Sequence, residues 1–229
     1  MRDKNKKLTI VVLAIAVVSL TIGFAAFSSS LNISSSATVA PNSSNFSVRL
    51  SNSKTSYESG NLPNSPTIVG NVTAPIGFNV AGAAFMVAAS GGASASIGFV
   101  EPGASVTYTL YVRNDGKYTA YLNEIIFDDA DASNVDGSTS FKVCITSGST
   151  LSLMNEACKA ISATVTISNG TKTETATNAT KSGISGFTLA PGSSADVTIK
   201  FEYASNGARA DGPFNVYFGN IKFNFSTVD

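Results

Sequence analysis

The chain of 229 residues has no histidine, no tryptophan and only two cysteines. Without histidine, a Ser-His or Cys-His nucleophile pair, an HExxH zinc site and a histidine general base are all excluded. Two cysteines without histidine argue against a zinc site as well. Composition alone leaves room for a hydrolase that uses two carboxylates. No pair of carboxylates in distinct environments stands out, however, so we predict no catalytic residues and no enzyme activity.

Charge is also scarce, since only 13% of the residues are charged and the formal net charge is zero. Past residue 26 there are 11 basic and 14 acidic residues. A mildly acidic chain lacks the basic surface that nucleic acid requires, so no nucleic-acid partner is expected. With 43% apolar residues the chain can still build a core, and its length suits one domain.

The one long hydrophobic run lies at the N-terminus. A basic start is followed by LTIVVLAIAVVSLTIGFAA, from Leu8 to Ala26. This order predicts a hydrophobic signal helix in residues 1–26, with cleavage by a signal peptidase between Ala26 and Phe27. The alternative is an uncleaved anchor, because a helix over these residues would be about 30 Å long. In that case the retained segment would be the chain's only contact with a membrane.

The stretch GFAAFSSSLNISSSATVAPNSSNFSVRLSN resembles the N-terminus of TasA and camelysin-type proteins. These are biofilm-matrix and cell-surface proteins of Gram-positive bacteria with a SipW-type signal peptide. The matching features are the Ala-Ala-Phe boundary and the strand that begins at Asn45-Phe46-Ser47-Val48. The resemblance covers about the first 50 residues. It implies a secreted or extracellular protein of the cell surface or biofilm matrix, which forms fibres by donor-strand exchange.

Alternating apolar residues dominate the rest of the chain, 45–229. The clearest examples are Ser105–Arg113 and Asp196–Tyr203. Further strands are predicted at Phe46–Leu50, Thr67–Val72, Phe78–Val87, Tyr118–Phe127, Ser140–Ile145, Ala163–Ile167, Gly186–Leu189 and Phe214–Phe225. We therefore predict an all-β fold, a two-sheet antiparallel sandwich of the jelly-roll type with at most one or two short helices.

Two Pro-Gly turns precede the two clearest strands at a spacing of 89 residues. Glu101-Pro102-Gly103 leads into the first strand and Ala190-Pro191-Gly192 into the second. Pro-Gly predicts a turn in which glycine takes a positive φ. The pattern fits either an internal repeat or one turn used twice. In the last predicted strand the alternation slips at Gly219-Asn220, which indicates a bulge or a hairpin.

Cys144 and Cys158 are predicted to form a disulfide, because an exported chain meets an oxidising environment. The bond would close a loop of about 15 residues and contribute about 3 kcal/mol in the chain-entropy model. Two free thiols are the alternative. Between the cysteines, Ser152–Ile161 is predicted to be helical, with Ser152 as its N-cap.

Asp128, Asp129, Asp131, Asn134 and Asp136 crowd one turn. Clustered oxygen ligands suit Ca²⁺, so the four aspartates form a weak calcium site candidate. The EF-hand pattern fails, and a solvated acidic loop at a strand end explains the cluster better. No other cofactor is indicated.

The mature N-terminal arm, residues 27–44, contains the segment of greatest functional interest. Within Phe27–Ala40, the apolar side chains alternate with polar ones, as in a strand, at Leu31, Ile33, Ala37 and Val39. A free terminal strand can pair with the open sheet edge of another copy. The same arm could instead fold back as the first strand of its own domain, or remain disordered.

The leading functional hypothesis is a secreted structural protein whose main partner is itself. The alternative is a monomeric surface adhesion or binding module. A camelysin-like metallopeptidase is a third hypothesis, which the absence of histidine disfavours.

Overall fold

The computed structural model describes residues 45–56, 60–63, 65–75, 77–87, 95–130, 140–146, 149–178 and 183–227. All of them belong to the unit Pro41–Asp229. The predicted signal peptide, its cleavage site and residues 27–44 of the arm lie outside the described residues.

Within these residues the chain forms sixteen strands and one helix. The strands are β1 Val48–Ser51, β2 Gly60–Pro63, β3 Thr67–Val69, β4 Val72–Thr73, β5 Gly77–Ala81, β6 Ala84–Val87, β7 Ser96–Phe99, β8 Ser105–Asn114, β9 Ala120–Phe127, β10 Lys142–Thr146, β11 Ile161–Ser168, β12 Thr173–Thr177, β13 Gly183–Leu189, β14 Ser194–Tyr203, β15 Phe214–Phe218 and β16 Ile221–Ser226. The helix is α1, Leu151–Lys159.

The strands form three antiparallel sheets. Sheet 1 has the order β1-β8-β14-β11-β12, and β3 pairs with β8 beside β1. Sheet 2 has the order β13-β9-β16-β6-β5-β2, and sheet 3 the order β10-β15-β7-β4. The predicted all-β antiparallel sandwich is therefore confirmed. The fold contains three sheets because two of them, sheets 2 and 3, together form the layer opposite sheet 1. The chain passes from sheet 3 to sheet 2 between β15 and β16.

The core lies between sheet 1 and the two opposing sheets. Alternate residues of β8 and β14 are buried, as the period of two in their sequences predicts. The ring centroids of Tyr108 and Phe85 of sheet 2 are 5.7 Å apart, and those of Phe201 and Phe218 of sheet 3 are 4.3 Å apart. The Tyr108 hydroxyl donates to the Pro75 carbonyl at 2.8 Å, and burial raises its pKa. These contacts hold one layer against the other.

Gly219 and Asn220 interrupt the last predicted strand. The strands on either side, β15 and β16, do not pair with each other, so the hairpin alternative is wrong. A Cβ atom on Gly219 would lie 1.9 Å from the carbonyl oxygen of Asp128. The Gly219 amide donates to Phe141 O, and the Asp128 amide to Asn220 O. Glycine is needed here because another segment of backbone crosses the strand at this point.

The two strands that follow the Pro-Gly turns are neighbours in sheet 1. Thr109 of β8 pairs with Thr198 of β14, its counterpart at the spacing of 89 residues. Gly103 and Gly192 have φ of 91° and 74°, as the turn chemistry predicts. Their amides donate to corresponding carbonyls, Tyr203 O and Asn114 O. A local two-fold axis therefore passes through the Thr109–Thr198 pair.

The same symmetry extends into the opposing layer. Strand β7, which precedes the first turn, pairs with β15, which follows β14 in the chain. Strand β13, which precedes the second turn, pairs with β9, which follows β8. Strands around the first turn thus pair with strands around the second turn in both layers. The use of one turn type at two places would not require this pairing. This arrangement favours the internal-repeat interpretation.

Two predicted strands are each divided into two in the structure. Thr67–Val72 is divided into β3 and β4 by Gly70, whose φ is 74°. Phe78–Val87 is the β5-β6 hairpin, which turns at Gly82 with φ 61°. The sequence pattern did not predict three strands, β2, β7 and β12. The Thr/Glu alternation of β12, with Ala176 as its only fully buried residue, carries little apolar signal.

Helix α1 lies where the sequence predicts it, but Ser152 is not its N-cap. The N-cap is Thr150, which makes no side-chain capping bond. The carboxylate of Asp211 instead holds the two residues that precede the helix, because it accepts from the Thr150 amide at 2.7 Å and from the Ser149 hydroxyl at 2.5 Å. These bonds lower the pKa of Asp211. A partner 61 residues away cannot be read from the local sequence.

Candidate assembly surface

The chain enters the described fold at Asn45, beside the turn between β8 and β9. The Lys117 amide donates to Asn45 O, and the Asp115 amide to Ser47 O, both at 2.8 Å. A Cβ atom on Gly116 would lie 2.7 Å from Asn45 O. The close approach therefore requires glycine at position 116, and it fixes the point from which the arm must depart.

The turn that receives Asn45 is itself held by a buried asparagine. Asn114 donates from Nδ2 to Tyr118 O at 2.7 Å and to Leu189 O at 2.9 Å. Its Oδ1 accepts from the Gly116 amide at 3.0 Å. All the polar atoms of this buried side chain are thus satisfied, which gives the arm a rigid point of departure.

Strands β1 and β3 border the same side of β8 at opposite ends. β1 pairs with residues 111–114, whereas β3 pairs with residues 105–107. At about 3.3 Å per residue, the two ends of β8 are about 30 Å apart. The arm's departure point and the β3 edge thus lie at opposite ends of sheet 1.

β3 is an exposed apolar edge strand. Ile68 is 47% exposed and Val69 is 55% exposed. Within the described part of the chain, β3 pairs only with β8, and its other edge has no strand partner. Such an edge offers unpaired backbone groups to another strand. The sequence predicted a strand here, but Ile68 and Val69 look like core residues until their exposure is known.

Three other edge strands, β12, β1 and β10, are tied to neighbouring elements. Lys172 of the β11-β12 turn donates to Ser185 O, and Asn169 donates to Thr188 O at 2.9 Å, which closes β12 against β13. On the opposite side of the sandwich, the Leu50 amide of β1 donates to Gly82 O at 2.7 Å. Strand β10 is joined to α1 by the Cys144–Cys158 disulfide, whose Cα atoms are 6.2 Å apart.

The outward face of sheet 1 is polar and rich in threonine. One row crosses four neighbouring strands and consists of Thr109, Thr198, Thr166 and Thr175. Beside it, Lys54 bridges Asp196 at 2.8 Å and lies over the Tyr111 ring. The hydrogen bond that the Lys54 ammonium donates to Asp196 raises the pKa of Lys54. Threonine suits an exposed strand face, so this row needs no ligand to explain it.

A cleft of about 420 Å³ lies on sheet 2, lined by Ala83, Ala84, Ile126, Lys222, Phe223 and Asn224. Its one cation is neutralised, because the Lys222 ammonium pairs with Asp128. The cleft is therefore mainly apolar and has no side chain of clear catalytic character.

The predicted calcium ligands are only partly described. Asp128 is half-buried and engaged with Lys222, whereas Asp129 is exposed. Asp131 and Asp136 lie outside the described residues. Among the residues that are described, no three metal-ligating side chains come together. The arm residues Leu31, Ile33, Ala37 and Val39 and the cleavage pair Ala26-Phe27 also lie outside this part.

No protein-family model, curated protein or solved structure matches this chain. No helix among the described residues is long and apolar enough to cross a membrane.

Proposed function

We propose that this chain is an exported structural protein of the cell surface or matrix, whose copies assemble through the arm. In this proposal the segment Phe27–Ala40 of one copy pairs with the β3 edge of the next. The exposure of Ile68 and Val69 on an edge strand is the observation that carries the proposal.

Three features of the described fold support a head-to-tail arrangement. The arm departs from the β8-β9 end of sheet 1, because Asn45 is bonded to Lys117 there. The receptive edge lies about 30 Å away at the other end of β8. β12 and β10 border other sheet edges and are covered or tied, whereas β3 exposes Ile68 and Val69, so we infer that β3 receives the strand. An arm that folds back onto its own β3 would satisfy the same edge and yield a monomer.

Ile68→Lys tests the edge, because a charged residue on an edge strand opposes pairing with another chain. We expect the variant to remain folded and to lose assembly, as measured by light scattering and electron microscopy. Leu153→Lys is the matched control, since Leu153 on α1 is 43% exposed. Assembly that survives Ile68→Lys, or is lost equally in Leu153→Lys, would contradict the role of β3.

The second candidate is a monomeric surface binding module. The apolar cleft between Ala84 and Lys222 on sheet 2 favours it, because small ligands bind in mainly apolar concave sites. Ala84→Leu would fill this cleft without touching β3. A wild-type chain that stays monomeric, together with loss of surface attachment in Ala84→Leu, would support the binding module over the fibre subunit.

A further inference from the structure

Lys142 of β10 lies in a half-buried site beside the end of α1 and the start of β11. Its Nζ donates to Cys158 O at 2.7 Å and to Ile161 O. None of the ion pairs in the described residues involves Lys142. Burial lowers its pKa. A neutral amine has two N–H groups, and both would be used by these carbonyls, which leaves the nitrogen lone pair free.

Asn178, which follows β12, is fixed to the same strand that Lys142 contacts. Its side-chain Oδ1 accepts from the backbone amide of Ala163 at 2.8 Å, and the backbone amide of Asn178 donates to Ala163 O at 3.1 Å. A donor on Oδ1 withdraws electrons from Cγ and makes that carbon a better electrophile. Ile161 and Ala163 are two residues apart on β11, or about 7 Å. Lys142 and Asn178 therefore bind neighbouring positions of one strand.

A cavity of about 220 Å³ is lined by both side chains and by two acids, Glu124 and Asp129. Its lining includes Lys142, Asn178, Glu124 and the rings of Phe127 and Phe141. Those rings are 5.0 Å apart and edge-to-face. The apolar part of this lining favours a neutral amine at Lys142 over an ammonium ion.

We propose that Lys142 and Asn178 form an intramolecular isopeptide bond. The Nζ lone pair attacks Cγ of Asn178, the Nζ–Cγ bond forms and the Cγ–Nδ2 bond breaks. The proton lost from Nζ is carried by the Glu124 carboxyl group to the departing nitrogen, which leaves as ammonia. No oxidant, reductant or further reactant is needed, because one amide replaces another.

The bond would join β10 of sheet 3 to the end of β12 in sheet 1. Together with the Cys144–Cys158 disulfide, it would fasten the one side of the sandwich where α1 separates consecutive strands. Unlike a disulfide, an amide bond resists reduction. This inference does not depend on the proposed assembly.

Intact-mass measurement of the purified full chain, denatured and reduced, tests the bond directly. We expect a mass lower than that of the sequence by one ammonia molecule, and a digest that contains the two peptides joined through Lys142 and Asn178. Lys142→Arg keeps N–H donors for the two carbonyls but cannot form the bond, so it should have the full mass. Lys159→Arg, an exposed lysine on α1, is the matched control and should retain the loss.

Glu124→Gln should slow bond formation by roughly 10²-fold, since general acid–base groups typically contribute that much. A wild-type chain that keeps its full mass after prolonged incubation would overturn the proposal. An ammonia loss that persists in Lys142→Arg would also overturn it, because cyclisation of Asn178 with its own backbone gives the same mass.

Discussion

Gly219 lies where the last strand passes under the segment Asp128–Ala130. A Cβ atom there would lie 1.9 Å from Asp128 O and 2.8 Å from Ala130 N, both of which are backbone atoms. Because backbone cannot move aside as a flexible side chain does, we expect Gly219→Ala to lower the free energy of unfolding by about 3 kcal/mol. Urea denaturation measures this. Gly183→Ala is the control, since a Cβ atom there meets nothing within 4 Å. Equal stability of the two variants would contradict the crossing.

The sequence predicts the need for glycine in the Pro-Gly turns, but it does not predict that need at the backbone crossing. Gly103 and Gly192 follow proline in a turn, and their positive φ is a local requirement that can be read from Pro-Gly. The requirement at Gly219 arises from a segment about 90 residues earlier in the chain. The sequence therefore indicated an irregularity at Gly219-Asn220 and left its form open between a bulge and a hairpin.

At the scale of elements, the disulfide fastens α1 to β10. Cys144 is on β10, Cys158 is in the last turn of α1, and Met154 and Ala157 of the helix are buried. We expect the double variant Cys144→Ser, Cys158→Ser to lose about 3 kcal/mol of unfolding free energy in the chain-entropy model. Denaturation with and without a reducing agent measures this. The variant should be insensitive to the reducing agent, whereas a wild-type chain whose stability does not change on reduction would contradict the role of the bond.

Strands were predictable where burial follows the period of two. β8 and β14 have one buried and one outward face, and their alternation reveals both. Residues on β12 pair with β11, but the strand is mostly threonine and only Ala176 is fully buried, so it produces no apolar pattern. Short edge strands such as β3 and β4 depend on neighbours distant in sequence, and Gly70 separates them where the pattern looked continuous.

At the scale of the whole molecule, alternation over many short segments was enough to predict an antiparallel sandwich. The division of one layer into two sheets was not predictable, because it depends on which strands β15 and β16 meet. The candidate assembly surface was also only half predictable. The sequence indicated a strand-like arm, but the acceptor edge became recognisable only through the exposure of Ile68 and Val69.

The central claim is that copies of this chain assemble through residues 27–40. Electron microscopy of the purified exported chain, compared with a chain that lacks these residues, tests it most directly. We expect filaments or ordered oligomers from the intact chain, and folded monomers with an unchanged circular dichroism spectrum from the deletion. An intact chain that stays monomeric under all conditions, or a deletion that assembles as well as the intact chain, would contradict the claim.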